Sequence, residues 1–554
     1  MENPSAITFN NGITSVTIRL DDGRVVLQDI LPVQDTPQES VSPYFDKSTL
    51  PICHLPMGML KRNDNTDTWL WQVENNGSWR WDIGDYEDNI FLAASGPTGI
   101  DNEWRQTLAP GASFHSAPVA VCHMHGDWEH AVAAFTTYRR CIRRKHQDHK
   151  DLPIIFNDYM NCLMGDPNEE KILALLEPVA KCGAEYFVID AGWYADETDW
   201  WNGVGAWEPS KKRFPMGFSN LLDKIRKKGL KPGLWIEPEV IGVESEIAKI
   251  LPDDAFFQRD GQRILEKNRY HLDYRHPSVI ERMDAVIDRL VDEYGAKYFK
   301  FDYNIEVTQG TDVNSSAGAG QLGHNRAYLE WVGRLLDRYP DLVIENCSSG
   351  GQRMDYAMLA VHQLQSTSDQ QSPAKYAAIS AAAPTAVTPE QSASWAYPQP
   401  DWDDELNALT VVNSLLGRVH LSGRLDLMST KQLKLISDGM DVYKDIRGDI
   451  ANSFPFWPLG LPAWHDDWLA LGLALPADDK PGISRCYLAV WRRGGEEVCK
   501  DLPIRPFWGK ETISAKLLYP SEFVAETEWD PYIGSLKIKV PSTLCARLFQ
   551  LSPS

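Results

Sequence analysis

The spacing of apolar positions divides the chain into three parts. In residues 1–125, short stretches alternate between apolar and polar side chains, as at 15–20 and 68–73. Such alternation is typical of strands with one buried face, so we predict an N-terminal β-sandwich. Alternation returns in residues 454–554, as at 535–540, and predicts a small C-terminal antiparallel β domain.

The central part, residues 153–453, alternates short apolar runs with helical patterns. An amphipathic stretch within residues 126–152 predicts a helix that links it to the N-terminal domain. Because strands separated by helices pair in parallel, we predict an α/β fold, a (β/α)8 barrel of the TIM type. The predicted strands are 154–157, 186–190, 232–237, 298–302, 342–346 and 362–367. The predicted helices are 169–182, 218–228, 279–293 and 326–339, with 407–422 and 431–443 completing the last units.

The composition of the chain limits which binding partners and which cellular compartment we expect for the protein. The 554 residues are 43% apolar, which supplies the core of a barrel with flanking domains. A formal net charge of -22 disfavours nucleic acid and anionic membranes as partners, because both would repel the chain. The nine cysteines form no close CxxC pair, which suits a reducing compartment. Since no leader pattern is visible and no apolar run reaches about 20 residues, we expect a soluble cytoplasmic protein.

Two carboxylates follow predicted barrel strands. Asp302 comes two residues after Lys300, so both side chains share one face of the strand. The cation would keep Asp302 ionised, as a nucleophile requires. Asp369 lies in a polar cluster with no base before Lys375, which leaves room for the raised pKa of an acid/base. Either carboxylate could instead cap the segment that follows it.

The carboxyl ends of parallel barrel strands meet at one face, where barrel enzymes carry their chemistry. Two carboxylates there, one ionised and one able to hold a proton, are what cleavage of a glycosidic bond requires. We therefore expect Asp302 and Asp369 to be catalytic and to face each other across a sugar.

Aromatic and small residues near other strand ends would complete a sugar site. Twenty tryptophans is a high number, and indole faces stack well on the apolar faces of sugars. Those near the second and third strand ends are Trp193, Trp200, Trp201, Trp207 and Trp235, some of which must serve packing. Paired glycines at 350–351 would let the backbone approach a ligand closely, or could simply form a tight turn.

Five motifs occur in order at the predicted strand ends, and together they point to one protein family. They are DAGWY at 190–194, GLWIEPE at 233–239, KFDYN at 300–304, ENCSSGG at 345–351 and SD at 368–369. With them, residues 150–450 resemble the retaining α-galactosidases of glycoside hydrolase family 36, whose catalytic domain is a (β/α)8 barrel. The resemblance implies Asp302 as nucleophile and Asp369 as acid/base, with no metal or organic cofactor. It also implies a terminal sugar surrounded by Asp190, Trp207, Lys300, Asn304, Cys347 and Gly350, and we expect Trp193, Trp235 and Glu237 of the same motifs there.

Two departures from the family bear on the substrate. Its galactose-specific members usually carry a second Asp where this chain has Ala191, and those carboxylates bond the 4- and 6-hydroxyls. Ala191 should therefore enlarge the pocket there or admit a water. The N-terminal region is also shorter than the family's usual β-supersandwich. Cys347 and Gly350 match positions that accommodate a free 2-hydroxyl, which argues against a bulky acetamido group.

The expected activity is hydrolysis of terminal α-galactosides by an exo-acting enzyme. The alternatives are the same mechanism on an α-glucoside, an amino sugar, an N-acetylgalactosaminide or a β-L-arabinopyranoside, and transglycosylation.

Two other classes of protein would explain fewer features of the sequence. A metal-dependent barrel hydrolase needs ligands at strand ends, but the one HxH pair, His123 and His125, lies in the N-terminal β region. A pair on one strand face is the simpler interpretation there. His271 and His276 flank Asp273 without a metal-binding spacing. A sugar-binding protein that has lost turnover would not need both carboxylates.

Two long segments should cover the active face. Residues 195–210 are rich in Trp and acidic residues, and we expect Trp200 to Trp207 to form the wall of a closed pocket unless these indoles only pack. Residues 308–322 are rich in Gly and Ser, so we expect 310–323 to be a mobile rim or a contact in a homo-oligomer.

Overall fold

The structure is a computed structural model that describes residues 55–553 except 63–65, 87–88, 308 and 478–481. Nearer the N-terminus it describes the backbone of one antiparallel sheet, formed by the strands Ala6–Asn10, Thr14–Asp21 and Arg24–Pro32. Residues 1–5, where the sequence shows no leader pattern, lie outside the described residues.

Eight parallel strands close into a barrel. In chain order they are β1 (Ile155–Asn157), β2 (Tyr186–Ile189), β3 (Lys231–Ile236), β4 (Tyr298–Phe301), β5 (Val343–Asn346), β6 (Leu364–Ser366), β7 (Ser392–Ala396) and β8 (Arg418–Leu421). Each strand pairs with the next, and β8 pairs with β1. The predicted barrel is therefore confirmed.

Helices follow seven of the eight strands. They span Glu169–Lys181, Phe218–Lys227, Pro277–Asp288, Ala317–Arg338, Pro373–Ala382, Asp404–Leu415 and Thr430–Ile450. The segment between β5 and β6 forms turns instead of a helix. Among the described residues, no helix combines the length and the apolar character needed to cross a membrane.

Strands β7 and β8 do not follow from the apolar pattern. β7 has the sequence SASWA, which lacks the β-branched residues typical of strands. β8 has the sequence RVHL and lies inside the segment 407–422 that the sequence assigned to the last barrel units without a separate strand. Both strands are buried along their whole length, so closure of the barrel, rather than local propensity, holds them extended.

Alternate strand residues build two layers inside the barrel. The lower layer is apolar and contains Ile155, Tyr186, Val188, Tyr298, Val343, Leu364 and Ala393. Two positions further along their strands come the buried polar residues Asn157, Asp190, Lys300 and Glu345. The barrel thus has an apolar floor directly beneath a polar layer that faces its carboxyl end.

Antiparallel sheets lie before and after the barrel. Before it, Met57–Lys61, Asp67–Val73 and Val119–His125 form one sheet, and Arg80–Tyr86 pairs with Asn89–Ser95. The helix Trp128–Ile142, capped by Asp127, then leads to the barrel. After the barrel, one sheet contains Phe454–Phe456, Trp468–Pro476, Ile483–Arg492, Ile513–Tyr519 and Cys545–Pro553, and a second contains Cys499–Pro503, Glu526–Asp530 and Ser535–Lys539.

The long connection between β3 and β4 carries its own small elements. Val240–Gly242, Leu265–Glu266 and Arg269–His271 form one sheet, and Gln258–Arg259 pairs with Gln262–Arg263. Short helices span Ile247–Ile250 here and Gly99–Asn102 and Asp148–Asp151 earlier in the chain.

The glycine-rich segment after β4 is helical in its second part. The helix begins at Ala317, whereas the sequence predicted its start at residue 326. A Cβ at Gly318 would lie 2.5 Å from the carbonyl oxygen of Asn102, and one at Gly320 would lie 2.1 Å from that of Thr311. These glycines therefore permit close backbone packing, and from residue 317 onward the segment is a helix instead of the predicted loop. Its role as a rim or an oligomer contact stays a prediction.

Candidate active site

Asp302 lies directly after β4, and both of its carboxylate oxygens are hydrogen-bonded. Oδ2 accepts the Trp235 indole N–H at 3.0 Å, and Oδ1 accepts the backbone N–H groups of Tyr303 at 2.8 Å and Ser349 at 3.3 Å. Burial alone would raise the pKa of Asp302, but the Lys300 ammonium and the Trp235 hydrogen bond bring it below its usual value. The carboxylate is therefore ionised and fixed in orientation.

Lys300 supplies the positive charge of the site. Its ammonium group donates to Asp190 Oδ2 at 3.0 Å and lies 5.5 Å from the centroid of the Trp395 ring. Asn157 donates to the same Asp190 oxygen at 2.6 Å. Burial acts to lower the pKa of Lys300, but the carboxylates of Asp190 and Asp302 raise it above its usual value. The ammonium group thus pairs with Asp190 while its field stabilises Asp302.

Asp369 lies just past β6 in a different electrostatic setting. Burial raises the pKa of its carboxyl group to about 6, although Lys300 acts to lower it and the Asp302 carboxylate adds to the rise. The helix that follows starts at Pro373 with Ser372 as its N-cap, so Asp369 does not cap it. The two carboxyl groups lie within electrostatic reach of each other, and they differ in how readily they hold a proton.

The loop after β5 contacts the segments that carry both carboxylates. Gly350 has a φ of +80°, and a Cβ there would lie 2.7 Å from the backbone nitrogen of Asp369. The Ser349 N–H donates to Asp302. Cys347 is 1% exposed, and burial raises the pKa of its thiol. Glycine is required at 350 because no side chain fits between the two loops.

Glu237, at the end of β3, positions Asn304. Its Oε1 accepts the Asn304 backbone N–H at 3.0 Å and the side-chain Nδ2 at 2.8 Å, while Arg269 donates to Oε2. Burial raises the pKa of Glu237 to about 7, although Arg269 acts to lower it. Glu237 is fully buried with both oxygens occupied, so its effect on a substrate would pass through the half-buried Asn304.

The tryptophans near β2 and β3 form a packed layer around Trp235. Trp193 donates its indole N–H to the Trp235 carbonyl at 2.9 Å, and the Trp207 ring lies edge-on to that of Trp235 at 5.9 Å. Trp193 and Trp207 have no exposed surface, and Trp235 is 1% exposed. In this structure these tryptophans serve packing, which is the alternative left open by the sequence. Trp193 and Trp207 hold in place the Trp235 indole that donates to Asp302. Trp200, in the predicted wall, is half-buried and keeps part of its surface free.

Ala191, where the resemblance leads us to expect a second Asp, belongs to the main apolar core. Its side chain is 1% exposed, and its backbone N–H donates to Asp190 Oδ1 at 2.8 Å. The methyl group packs among apolar side chains, so the expected enlargement of the pocket at this position is not seen.

Several residues of the site were missed by the sequence analysis. Asn157 ends a predicted strand with a polar side chain, and this signal could have identified it. Trp395 lies on the unpredicted strand β7, and Arg269 lies far from any strand-end motif, so neither gave a signal. Tyr159 is half-buried, and the charges of Asp190 and Asp302 add to the effect of burial, which raises its pKa to about 12.

A cavity of about 450 Å³ lies between residues 75–82 and the segments after β3, β4 and β5, and neither Asp302 nor Asp369 belongs to its lining. Tyr303 and Ser348, which directly follow Asp302 and Cys347, belong to its lining, as do Trp79 and Trp81. Its volume falls in the range of roughly 300 to 1,000 Å³ that is typical of small-molecule sites.

Among the described residues, two groups of side chains have a spacing suited to a metal ion. In the first, Glu239 is bonded to His324 at 3.0 Å and to the Arg353 guanidinium at 2.6 and 3.1 Å. Because Arg353 already neutralises Glu239, a second cation fits this buried group poorly. The other group, with Asp67 at its centre, lies in the N-terminal sheet.

A family model described as Melibiase matches residues 113–427, which contain all eight barrel strands together with Asp302 and Asp369. The α-galactosidase Mel36A of Lactobacillus acidophilus is 29% identical over 264 residues, which cover 47% of this chain and 36% of that protein. The α-galactosidase AgaA of Geobacillus stearothermophilus is 28% identical over 259 residues, which cover 46% of this chain and 35% of that protein. The matched stretch thus spans little more than a third of these relatives.

The solved structure of the GH36 α-galactosidase AgaA from Geobacillus stearothermophilus has the same fold, with a TM-score of 0.78 at 18% identity. The match covers 90% of this chain and 69% of that one. A variant of AgaA has been solved in complex with stachyose, and the similarity to it has the same TM-score of 0.78. Because the family model covers more than half of the sequence and spans the complete barrel, the chain belongs to the melibiase family.

Proposed function

We propose that this protein is an exo-acting, retaining α-galactosidase. The observation that carries the proposal is the contrast between two carboxyl groups at one end of the barrel. Lys300 and hydrogen-bond donors keep Asp302 ionised, whereas burial raises the pKa of Asp369 to about 6. An ionised nucleophile beside a carboxyl group that can hold a proton is the pairing that double displacement needs. The α-galactosidase activity of the relatives makes galactose the first choice of sugar.

In the first step, an Asp302 oxygen attacks the anomeric carbon while Asp369 gives its proton to the departing glycosidic oxygen. The bond to the leaving group breaks as a bond from Asp302 to the sugar forms. In the second step, Asp369, now a carboxylate, takes a proton from water, and that water displaces Asp302 from the anomeric carbon. Two inversions at one carbon give net retention.

The fixed position of Asp302 favours the first step. The N–H groups of Trp235, Tyr303 and Ser349 hold its carboxylate before substrate arrives, so little reorientation is needed during attack. Lys300 stabilises the carboxylate without bonding directly to it, because its ammonium group is bonded to Asp190.

The closed end of the barrel supports the proposed exo mode. The buried polar layer of Asn157, Asp190 and Lys300 offers donors and acceptors for sugar hydroxyls. Directly below it lies the apolar floor, through which a polysaccharide chain could not continue. A single terminal sugar is the unit that fits such a site. The 450 Å³ cavity beside Tyr303 offers room for further sugars of an oligosaccharide.

The alternative substrates rest on Ala191. With one carboxylate where galactose-specific members carry two, discrimination between galactose and its 4-epimer loses a charge-assisted hydrogen bond, on the order of 1.5 to 3 kcal/mol. An α-glucoside, an N-acetylgalactosaminide, another amino sugar or a β-L-arabinopyranoside could then compete, and a sugar acceptor could replace water in the second step.

A panel of aryl glycosides with one common leaving group tests the choice of sugar. We expect the highest kcat/KM for the α-galactoside. Cleavage of the α-glucoside well above that of the α-galactoside would overturn the proposed substrate while leaving the mechanism intact. Absence of cleavage across the whole panel would overturn the proposed activity.

A further inference from the structure

We propose that Asp67, His123 and His125 form a binding site for one divalent transition-metal ion, such as Zn²⁺, in the N-terminal sheet. The site is separate from the barrel and from the proposed reaction. Its three side chains are placed by two neighbouring strands, Asp67–Val73 and Val119–His125.

Strand geometry brings the three ligands together. His123 and His125 occupy alternate positions of one strand, so their side chains lie on the same face. Asp67 is the antiparallel partner of His125 on the adjacent strand. His123 Nε2 lies 3.0 Å and His125 Nδ1 lies 2.7 Å from the same oxygen, Asp67 Oδ1.

These separations resemble those within a coordination sphere. Ligand atoms bonded to Zn²⁺ at about 2.0–2.2 Å with neighbouring angles near 90–110° lie roughly 3 to 3.5 Å apart. Small movements of the two imidazoles would therefore admit an ion between the three atoms. The second carboxylate oxygen, Oδ2, accepts the Thr66 hydroxyl at 3.1 Å and lies 3.8 Å from Arg62, so Oδ1 is the one turned toward the histidines.

The three ligands differ in exposure, so the fold holds two of them in place while the third can be reached from solvent. The side chains of His123 and Asp67 are 6% and 15% exposed, whereas that of His125 is 62% exposed. The Trp69 ring stacks on His123 with centroids 4.6 Å apart and fixes its orientation. Two imidazoles and one carboxylate suit Zn²⁺, Cu²⁺ and Ni²⁺, and water would complete the coordination.

A bound ion would link the two strands and would stabilise the folded state, because the ligands are brought together only by folding. The group around Glu239 offers the contrast, since Arg353 occupies its carboxylate. At Asp67, the Arg62 guanidinium lies 3.8 Å from Oδ2, whereas both histidines contact Oδ1.

The test is calorimetric titration of metal-free full-length protein with Zn²⁺, followed by thermal unfolding with and without the ion. We expect one equivalent to bind to the site and to raise the Tm. His123→Gln and His125→Gln should each weaken that binding at least about tenfold and remove the Tm shift. Because His125 is mostly exposed, His125→Gln should fold normally, and unfolding in the absence of Zn²⁺ checks this.

His130→Gln is the matched control. His130 is 65% exposed and bonds Asp127 through a single imidazole at 2.8 Å, so it resembles His125 without a second histidine beside it. This variant should bind Zn²⁺ as the unmodified protein does. Undetectable binding by the unmodified protein, or equal binding by the His123→Gln, His125→Gln double variant, would overturn the proposal.

Discussion

At the scale of single residues, Asp302 and Asp369 have different pKa values because they differ in their hydrogen bonds and in the effect of Lys300. The positive charge of Lys300 acts to lower the pKa of both Asp302 and Asp369. Asp302 also accepts hydrogen bonds from Trp235 and two backbone N–H groups, and its pKa falls. At Asp369 the effect of burial prevails, and the pKa rises to about 6.

Replacing the nucleophile tests the first step. Asp302→Asn preserves the shape of the side chain, but a neutral amide cannot attack the anomeric carbon. We expect kcat on an aryl α-galactoside to fall by about 10⁴-fold or more. The Tm should stay close to that of the unmodified protein, and Asp337→Asn, at a 70% exposed surface ion pair, should leave kcat unchanged. Near-normal turnover by Asp302→Asn would rule out its assigned role.

The pH dependence of kcat/KM follows from the pKa of Asp369. The free enzyme needs this group protonated, so kcat/KM should decline as the pH rises through about 6. The lowered pKa of Asp302 keeps the nucleophile ionised into the acidic range, so activity should persist well below pH 6. A profile measured from pH 3 to pH 9 on one aryl α-galactoside checks both limbs. An activity that keeps increasing up to pH 9 would exclude Asp369 as the acid.

The sequence could predict some of these roles and not others. Because Lys300 and Asp302 are two residues apart on one strand, their shared face and the ionised state of Asp302 followed from spacing alone. The ion pair of Lys300 with Asp190 did not, because β4 and β2 are separated by β3 and meet only inside the closed barrel. The lack of exposed surface at Trp193 and Trp207 was equally invisible before packing was known.

At the scale of elements, the helix Ala317–Arg338 contains glycines with different functions. Gly320 lies against the backbone of Thr311, whereas a Cβ at Gly333 would meet nothing within 4 Å apart from its chain neighbours and the backbone of its own helix. Composition alone suggested a mobile loop, because glycine is typical both of loops and of close helix contacts. Only the neighbouring backbone distinguishes the two.

These glycines allow a matched comparison within one helix. Gly320→Ala should lower the free energy of unfolding by about 1 to 3 kcal/mol, since its Cβ would lie 2.1 Å from the Thr311 carbonyl oxygen. Gly333→Ala should raise it by up to about 1 kcal/mol, because alanine reduces the entropy lost on folding. Urea denaturation measures both. Equal effects of the two substitutions would contradict the close-packing role of Gly320.

The strands show the same limit of sequence analysis. The alternation of short apolar stretches with helical patterns identified β1 to β6, although β6 has the sequence LQS and little strand propensity of its own. The sequences of β7 and β8 include Ser, Ala, Arg and His, and their extended form depends on neighbours in the sheet. The alternation of strands and helices in the other units was enough to predict a closed eight-stranded barrel. It was not enough to predict the bounds of the last two strands.

At the scale of the whole molecule, the N-terminal region is attached to the barrel beside the candidate active site. The Arg105 N–H donates to Ser316 Oγ at 2.8 Å, and Ser78 donates to Gln321 at 2.9 Å. These contacts join a segment of the first 125 residues to the helix after β4. The 450 Å³ cavity lies in this region, and its lining comes from segments too distant in sequence for any motif to reveal it.

Trp79, in the lining of this cavity, tests whether it receives further sugars of an oligosaccharide. Trp79→Ala should lower the kcat/KM for stachyose relative to that for an aryl α-galactoside by about tenfold, the loss expected for a stacking contact of about 1.4 kcal/mol. Trp508→Ala, a 59% exposed tryptophan after the barrel, is the control and should leave the ratio unchanged. If Trp79→Ala also leaves it unchanged, the further sugars bind elsewhere.

The central claim is that Asp302 and Asp369 act by double displacement on an α-galactoside. The most direct test is to follow hydrolysis of an aryl α-galactoside by ¹H NMR, fast enough to observe the first-formed sugar before it mutarotates. A covalent intermediate on Asp302 that is displaced by water predicts that α-galactose appears first and the β-anomer only later. If β-galactose appears first, hydrolysis proceeds by single displacement, and the roles assigned to the two carboxylates are contradicted.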